Sequence, residues 1–408
     1  MRVALINTGK AEAVRELRKV VPAVHVDVIT EARYRGQYDP GERLHLVEDV
    51  GRVTDVLETV MRLHRDAPFD AVLSPSERSM PAGGYIRSYL ALPGTPYDVA
   101  NRFTNKVAMK RALFDAGIPT APGNAVVGVK QIRDTAERLG FPVLLKPAFG
   151  TASMGSRVFV DRVDLSSWAV TPEARELDAG CRQLLLERFL DVRREFHCDA
   201  VVMDGRSAVC VVSAYTSPVL GTIGRLMGGY TVPQGSREDI RVTELHEASV
   251  AALGMKSGVT HLEVLETADG LFVGEIACRP GGAGVAPNLK LARGLDLWRA
   301  FYLDSVGATL DCVLDDVHDE TATHVWLKLP IAEGKVESVT TARDLHEIDG
   351  VVAVDMLAQS GDSLSPRIHS ASTTGLVYLQ LPDAEINTVE AAIARVRGAF
   401  RLDVKGPQ

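Results

Sequence analysis

Two short runs of alternating apolar and polar residues flank Ala268-Asp269-Gly270, and they constrain this chain more than any other segment. Residues 260–266 read Thr-His-Leu-Glu-Val-Leu-Glu, and residues 271–279 read Leu-Phe-Val-Gly-Glu-Ile-Ala-Cys-Arg. A period of two is the pattern of a half-buried strand. A three-residue loop with glycine in the left-handed region is a common hairpin connection. Centred on Asp269, that loop sets Glu263 opposite Glu275. Leu262, Val264, Phe272, Ile276 and Cys278 then share the core face, while His261, Glu263, Glu275 and Arg279 share the other. Like charges directly opposite destabilise a strand pair. Without a counter-charge, one carboxyl is pushed toward protonation. A divalent cation relieves this, and two carboxylates with phosphate oxygens suit magnesium. Taken alone, the hairpin fits a solvated strand face equally well.

Around the hairpin, strand-like and helix-like runs alternate, which argues for layered α/β and α+β architecture. Residues 3–6, 24–29 and 71–73 read as buried strands, with helical spacing at 11–20 and 53–65. This is a small doubly wound domain over residues 1–100. A central region follows over residues 101–320. It opens on a helix at 105–116 that Thr104 or Asn105 can cap, with Gly117 and Pro119 ending it. Strands at 125–129 and 143–145, a strand, strand, turn, strand pattern at 184–215 and the hairpin complete it. Residues 321–408 read as a C-terminal α+β lobe.

Composition narrows the partners. The 45 Lys and Arg against 53 Asp and Glu leave a net charge of −8, which disfavours nucleic acid as the main partner. No apolar run approaches the ~20 residues needed to span a bilayer. Residues 1–10 read as a buried strand and turn, not a signal peptide. The five cysteines are odd in number and too far apart in sequence for a zinc knuckle or a redox pair. They read as core thiols of a reducing, cytoplasmic protein.

Two further segments bear on chemistry. Lys146-Pro147 ends a buried strand, and residues 150–156 after it are small except for Met154. Small residues let backbone N–H groups approach phosphate oxygens, and such a loop can close as a lid. No Walker motif is present. The apolar run Leu184-Leu-Leu-Glu187-Arg-Phe-Leu190 leads into Asp191-Val-Arg-Arg-Glu195, and such a strand end can offer backbone groups to an adenine edge.

In this order, the segments resemble the ATP-grasp superfamily over nearly the whole chain. The resemblance rests on Ser76-Glu77, Pro93-Gly94-Thr95, Asn105-Lys106 to Lys110, Lys146-Pro147 with the small-residue loop, Glu187 to Leu190, and Glu263, Glu275 and Arg279-Pro-Gly-Gly282. It implies an ATP-grasp fold with an N-terminal doubly wound pre-ATP-grasp domain and a small-residue lid at 149–156. The Thr-Ala-Ser-Met-Gly and Arg-Pro-Gly-Gly segments are most similar to the L-amino-acid ligase branch, which joins a carboxylate to an amine using ATP.

The resemblance also implies roles. Lys106 and Lys146 would neutralise ATP phosphates, and Ser153 would hold the β and γ phosphates. Arg188 to Leu190 would bind adenine through the backbone beside Glu187, and Glu195 would accept from the ribose hydroxyls. Lys110, one turn after Lys106, could take its place, but reads mainly as a solvated helix-face residue. Glu263 and Glu275 would hold one or two magnesium ions, for which manganese could substitute. Many family members have Glu-x-Asn on this strand; here the third position is Ala277. Arg279 and the N–H groups of Gly281 and Gly282 would stabilise the tetrahedral oxyanion. His261 is a packed strand residue or an aid in deprotonating the amine. The loop at 216–235 is expected to shape the acceptor pocket, with Arg225 and Tyr230 as candidates.

The expected function is amide formation through an acyl phosphate, on amino acids or a related small acid. Biotin carboxylation and a non-catalytic nucleotide-binding module are the alternatives. A homodimer is common in the family.

Overall fold

The computed structural model describes residues 1–10, 12–150, 154–222, 224–317, 321–364, 372–382 and 386–406. Among the described residues, the strands fall into four sheets. The first joins β1 (Arg2–Ile6), β2 (His25–Glu31), β3 (Arg43–Val47) and β4 (Ala71–Leu73) in parallel, in the order β3-β2-β1-β4. β1 and β4 read as short apolar runs because parallel strands are covered on both faces. β3 was not legible: it is a half-exposed edge strand whose Arg43 and His45 reach the buried Asp27. Helix Val53–Asp66 buries Val56, Val60 and Leu63, one stripe of a helix.

A small antiparallel sheet follows, from β5 (Gly123–Val126), β6 (Val143–Pro147), β7 (Arg157–Phe159) and β8 (Leu184–Arg188), in the order β5-β8-β6-β7. Helix Lys106–Asp115 precedes it, and of the two possible caps Asn105 is the one used. Its side chain accepts from the N–H groups of Val107 and Ala108 at 3.1 and 3.3 Å. That cap places Lys106 at the first helical position.

The largest sheet has eight strands. β9 (Arg194–Met203), β10 (Arg206–Tyr215), β11 (Met227–Thr231), β12 (Gly258–Thr267) and β13 (Gly270–Ala277) come from the middle of the chain. Three of its strands, β14 (Thr323–Lys328), β16 (Val351–Met356) and β18 (Gly375–Leu381), lie beyond residue 320. β11 pairs with β14, so the sheet runs continuously across the boundary drawn at residue 320. The pairing is close: a Cβ at Gly228 would stand 1.8 Å from the Trp326 carbonyl oxygen. β15 (Gly334–Val339) joins β17 (Ser363–Leu364) and β19 (Leu402–Lys405) in a separate small sheet.

Tertiary structure corrects the cysteine reading. Cys198 and Cys210, distant in sequence, come within 2.7 Å on adjacent strands as free thiols, and Cys181 and Cys312 are exposed rather than in the core. Among the described residues, no helix is long and apolar enough to cross a membrane.

Candidate active site

The two hairpin strands, part of the large sheet, pair in the register expected for their carboxylates, by a different route. Glu263 pairs with Glu275, but Gly270 already pairs with Thr267, so the loop is only Ala268 and Asp269. A bulge at Gly274 restores the register: Val264 pairs with Val273, and Glu263 pairs with Glu275. The bulge also turns Val273, not Phe272, into the core beside Leu262, Val264, Ile276 and Cys278.

β9 supplies the third strand of the site floor. Across from His261, Glu263 and Leu265 stand Asp199, His197 and Glu195. The fully buried Asp199 accepts from His261 Nδ1 at 2.9 Å and from His197 Nδ1 at 2.6 Å. Burial opposes charge on His261, but Asp199 and Glu263 raise its pKa to about 10. As an imidazolium it has no lone pair to take a proton from an amine. Asp199 is likewise held ionised against burial by the two histidines. Neither Asp199 nor His197 was among the expected site residues. The signal was present in the alternation of Glu195, His197 and Asp199 along an otherwise apolar strand.

Above this floor lies a cavity of about 520 Å3, lined from four directions. Lys106 and Glu77 enter from the N-terminal side, Lys146 and Glu187 from the small sheet, and residues 188–192 from the connection between sheets. Residues 217–222 close the remaining side. Lys106 Nζ donates to Glu275 Oε1 at 2.8 Å and to the Gly150 carbonyl at 2.7 Å. Lys146 pairs with Glu187, and the two carboxylate neighbours keep both lysines charged despite burial. Lys110 is not solvated. It is buried, donates to the Val273 carbonyl at 2.8 Å and lies 3.6 Å from Glu187. Glu187 is therefore a buried counter-charge for two lysines.

Burial pushes Glu275 up to about 7, with Glu77 and Glu263 adding to the rise against Lys106. Burial and the Glu263 charge take Glu195 up to about 8, and its Oε2 accepts from the Val219 N–H at 2.8 Å. The cavity thus gathers several carboxylates, two of them opposed in register, which fits a divalent cation held together with phosphate oxygens.

At the hinge, the Arg188 and Phe189 N–H groups donate to Pro122 and Pro142 carbonyls. Of residues 188–190, this leaves the Leu190 N–H without an acceptor among the described residues. Arg279 lines the cavity, and its Nη2 donates to Glu77 Oε2 at 2.7 Å. Glu77, a motif residue with no role assigned from sequence, follows β4 at the carboxyl end of a parallel sheet, where ligand sites form. Gly281 packs beneath: a Cβ there would lie 2.8 Å from His261 Nδ1 and 3.0 Å from Asp199 Oδ1.

The structure does not bring every expected residue to the cavity. Arg225 is exposed and Tyr230 lies on β11, packed among apolar side chains; neither lines it. The supposed long loop at 216–235 contains β11, and only its first part reaches the site. Gly282 is exposed and outside the lining, and Ser153 falls outside the described residues.

Residues 105–217 match the family described as carbamoyl-phosphate synthase L chain, ATP binding domain. The chain is 27% identical to the L-arginine-specific L-amino acid ligase of Bacillus subtilis, over 98% of this chain and 97% of that one. Its structure superposes on the crystal structure of an L-amino acid ligase from Bacillus licheniformis with a TM-score of 0.78. The sequence identity is 18%, and 99% of each chain is covered. The biotin carboxylase domain of 2-oxoglutarate carboxylase from Hydrogenobacter thermophilus, solved with MgADP and bicarbonate, gives a TM-score of 0.68. That pair is 16% identical and covers 99% of this chain and 91% of the other.

Proposed function

We propose that this chain, which has the ATP-grasp fold, is an ATP-dependent ligase that joins the carboxylate of an amino acid or a related small acid to an amine. The reaction passes through an acyl phosphate and releases ADP and phosphate. One observation carries this reading. A single cavity holds the opposed Glu263 and Glu275, two lysines facing them, and Arg279.

Each residue then has a task set by its position. Leu190 offers its N–H to the adenine edge, and Glu195 accepts from ribose hydroxyls. Lys146 and Lys106 place point charges against the phosphate oxygens. Glu187 keeps Lys146 ionised and aimed. Glu263 and Glu275 would hold magnesium, which offsets the charge of the phosphate chain when bound.

With nucleotide so placed, an oxygen of the substrate carboxylate attacks the γ-phosphorus and ADP leaves. The deprotonated amine of the second substrate then attacks the acyl carbon, and phosphate departs. Arg279, which lines the cavity, offers positive charge where the oxyanion forms. His261, tied to Asp199, orients Glu263 rather than taking the amine proton. Residues 217–222, together with the small-residue loop, keep water from the acyl phosphate. The first test is phosphate release from ATP and magnesium, screened over amino acids singly and in pairs. Release confined to particular pairs, with the amide found by mass spectrometry, supports ligation; bicarbonate- and biotin-dependent release overturns it.

A further inference from the structure

Glu77 belongs to the N-terminal part of the chain, 202 residues from its partner Arg279, yet it ends inside the hairpin's charge cluster. Its two oxygens are not equivalent. Oε2 accepts from Arg279 Nη2 at 2.7 Å. Among the described residues Oε1, which is buried, has no hydrogen-bond partner, and Lys106 Nζ lies 3.7 Å away. Native structures rarely leave a buried polar atom unsatisfied without a reason.

The surroundings suggest what is missing. Lys106 also reaches Glu275 at 2.8 Å, so one ammonium lies between two carboxylates brought from distant parts of the chain. Along the site face of β13 and its extension come Glu275, Ala277 and Arg279. Ala277 offers only a methyl group. Glu77 touches Arg279 on one side of Ala277 and approaches Glu275 through Lys106 on the other.

We propose that Glu77 Oε1 is a magnesium ligand, completing the set that Glu263 and Glu275 begin. Lys106 holds the cation's place until nucleotide binds. The assignment rests on the reading of this cavity as a magnesium–nucleotide site. A third carboxylate oxygen suits a hard cation, and its burial restricts it to the geometry that magnesium demands.

Manganese(II) is the probe, because free Mn2+ is counted directly by its electron paramagnetic resonance signal. Mn2+ is titrated into the full chain with saturating ADP, giving the number and affinity of bound ions without any turnover. Glu77→Gln weakens the less tightly held ion by at least about tenfold. Adding Ala277→Asn, which places an amide oxygen on the same strand face, recovers most of that loss. Glutamine still offers Arg279 an acceptor. Where that variant does not fold, Glu77→Asp, with its oxygens withdrawn by one methylene, is read in the same way. Unchanged Mn2+ affinity in a folded Glu77 variant, or no recovery with Ala277→Asn, overturns the assignment. Wild-type protein that binds no Mn2+ with ADP overturns the nucleotide reading itself.

Discussion

Glu263 and Glu275 face each other across two antiparallel strands, next to the bulge at Gly274. Two carboxylates so placed repel unless a cation lies between them or one takes a proton. Glu275 is the partner pushed up, to about 7, with burial as the largest cause.

Glu275→Gln removes that repulsion and a proposed metal ligand together. The magnesium concentration giving half-maximal ATP turnover should rise by at least about tenfold. The check is a magnesium titration at fixed ATP. An unchanged half-saturation point contradicts the assignment of Glu275.

Glu187 is the buried counter-charge of Lys146 and Lys110. Removing one partner of a buried pair leaves an uncompensated charge and costs about 3–5 kcal/mol. Glu187→Ala should lower unfolding stability by that amount in urea titrations. Saturating ATP should restore more stability to the variant than it adds to wild type, because phosphate replaces the lost carboxylate beside Lys146. Equal stability in the two proteins contradicts this.

Adjacent glycines should behave differently. At Gly281 a Cβ would stand 2.7 Å from Val285 Cγ1 and crowd His261 and Asp199; at Gly282 it meets nothing within 4 Å. Gly281→Ala should cost about 1–3 kcal/mol, as overpacking does, and lower turnover by disturbing His261. Gly282→Ala should change stability by no more than about 0.5 kcal/mol, as surface substitutions do, and keeps the backbone N–H. Chemical unfolding of the two variants side by side decides it.

How much of this was legible follows from what each residue depends on. Alternation along a strand is local, so the faces of the hairpin could be read. Yet the loop is one residue shorter than expected and Gly274 bulges, and these two departures offset each other at Glu263 and Glu275 but not at Phe272. Lys146 could be read because it ends an apolar strand. Glu77 could not be assigned a role, because its partner Arg279 lies 202 residues away and only the packed fold joins them. Lys110 was misread because its partners, Val273 and Glu187, come from other sheets. Tyr230 was misplaced because a Gly-rich stretch concealed a strand whose glycines admit the Trp326 backbone.

His246 predicts a pH dependence away from the site. It is fully buried between Ser207 and Thr260, and burial lowers its pKa to about 4 from 6.5. The unfolded chain takes up this proton first as pH falls, so stability is lost between about 6.5 and 4. From pH 7 to pH 5 the loss from this group is about 2 kcal/mol. Urea unfolding of wild type should show that much more pH dependence over this interval than His246→Gln. Equal slopes contradict it.

The central claim is that the substrate carboxylate is activated as an acyl phosphate, and oxygen transfer tests it most directly. An amino acid found active in the phosphate-release screen is labelled with 18O in its carboxylate and incubated with ATP, magnesium and its amine partner. The inorganic phosphate is then analysed by mass spectrometry. The account predicts one 18O atom in each phosphate released with an amide. Amide formation accompanied by unlabelled phosphate would contradict it.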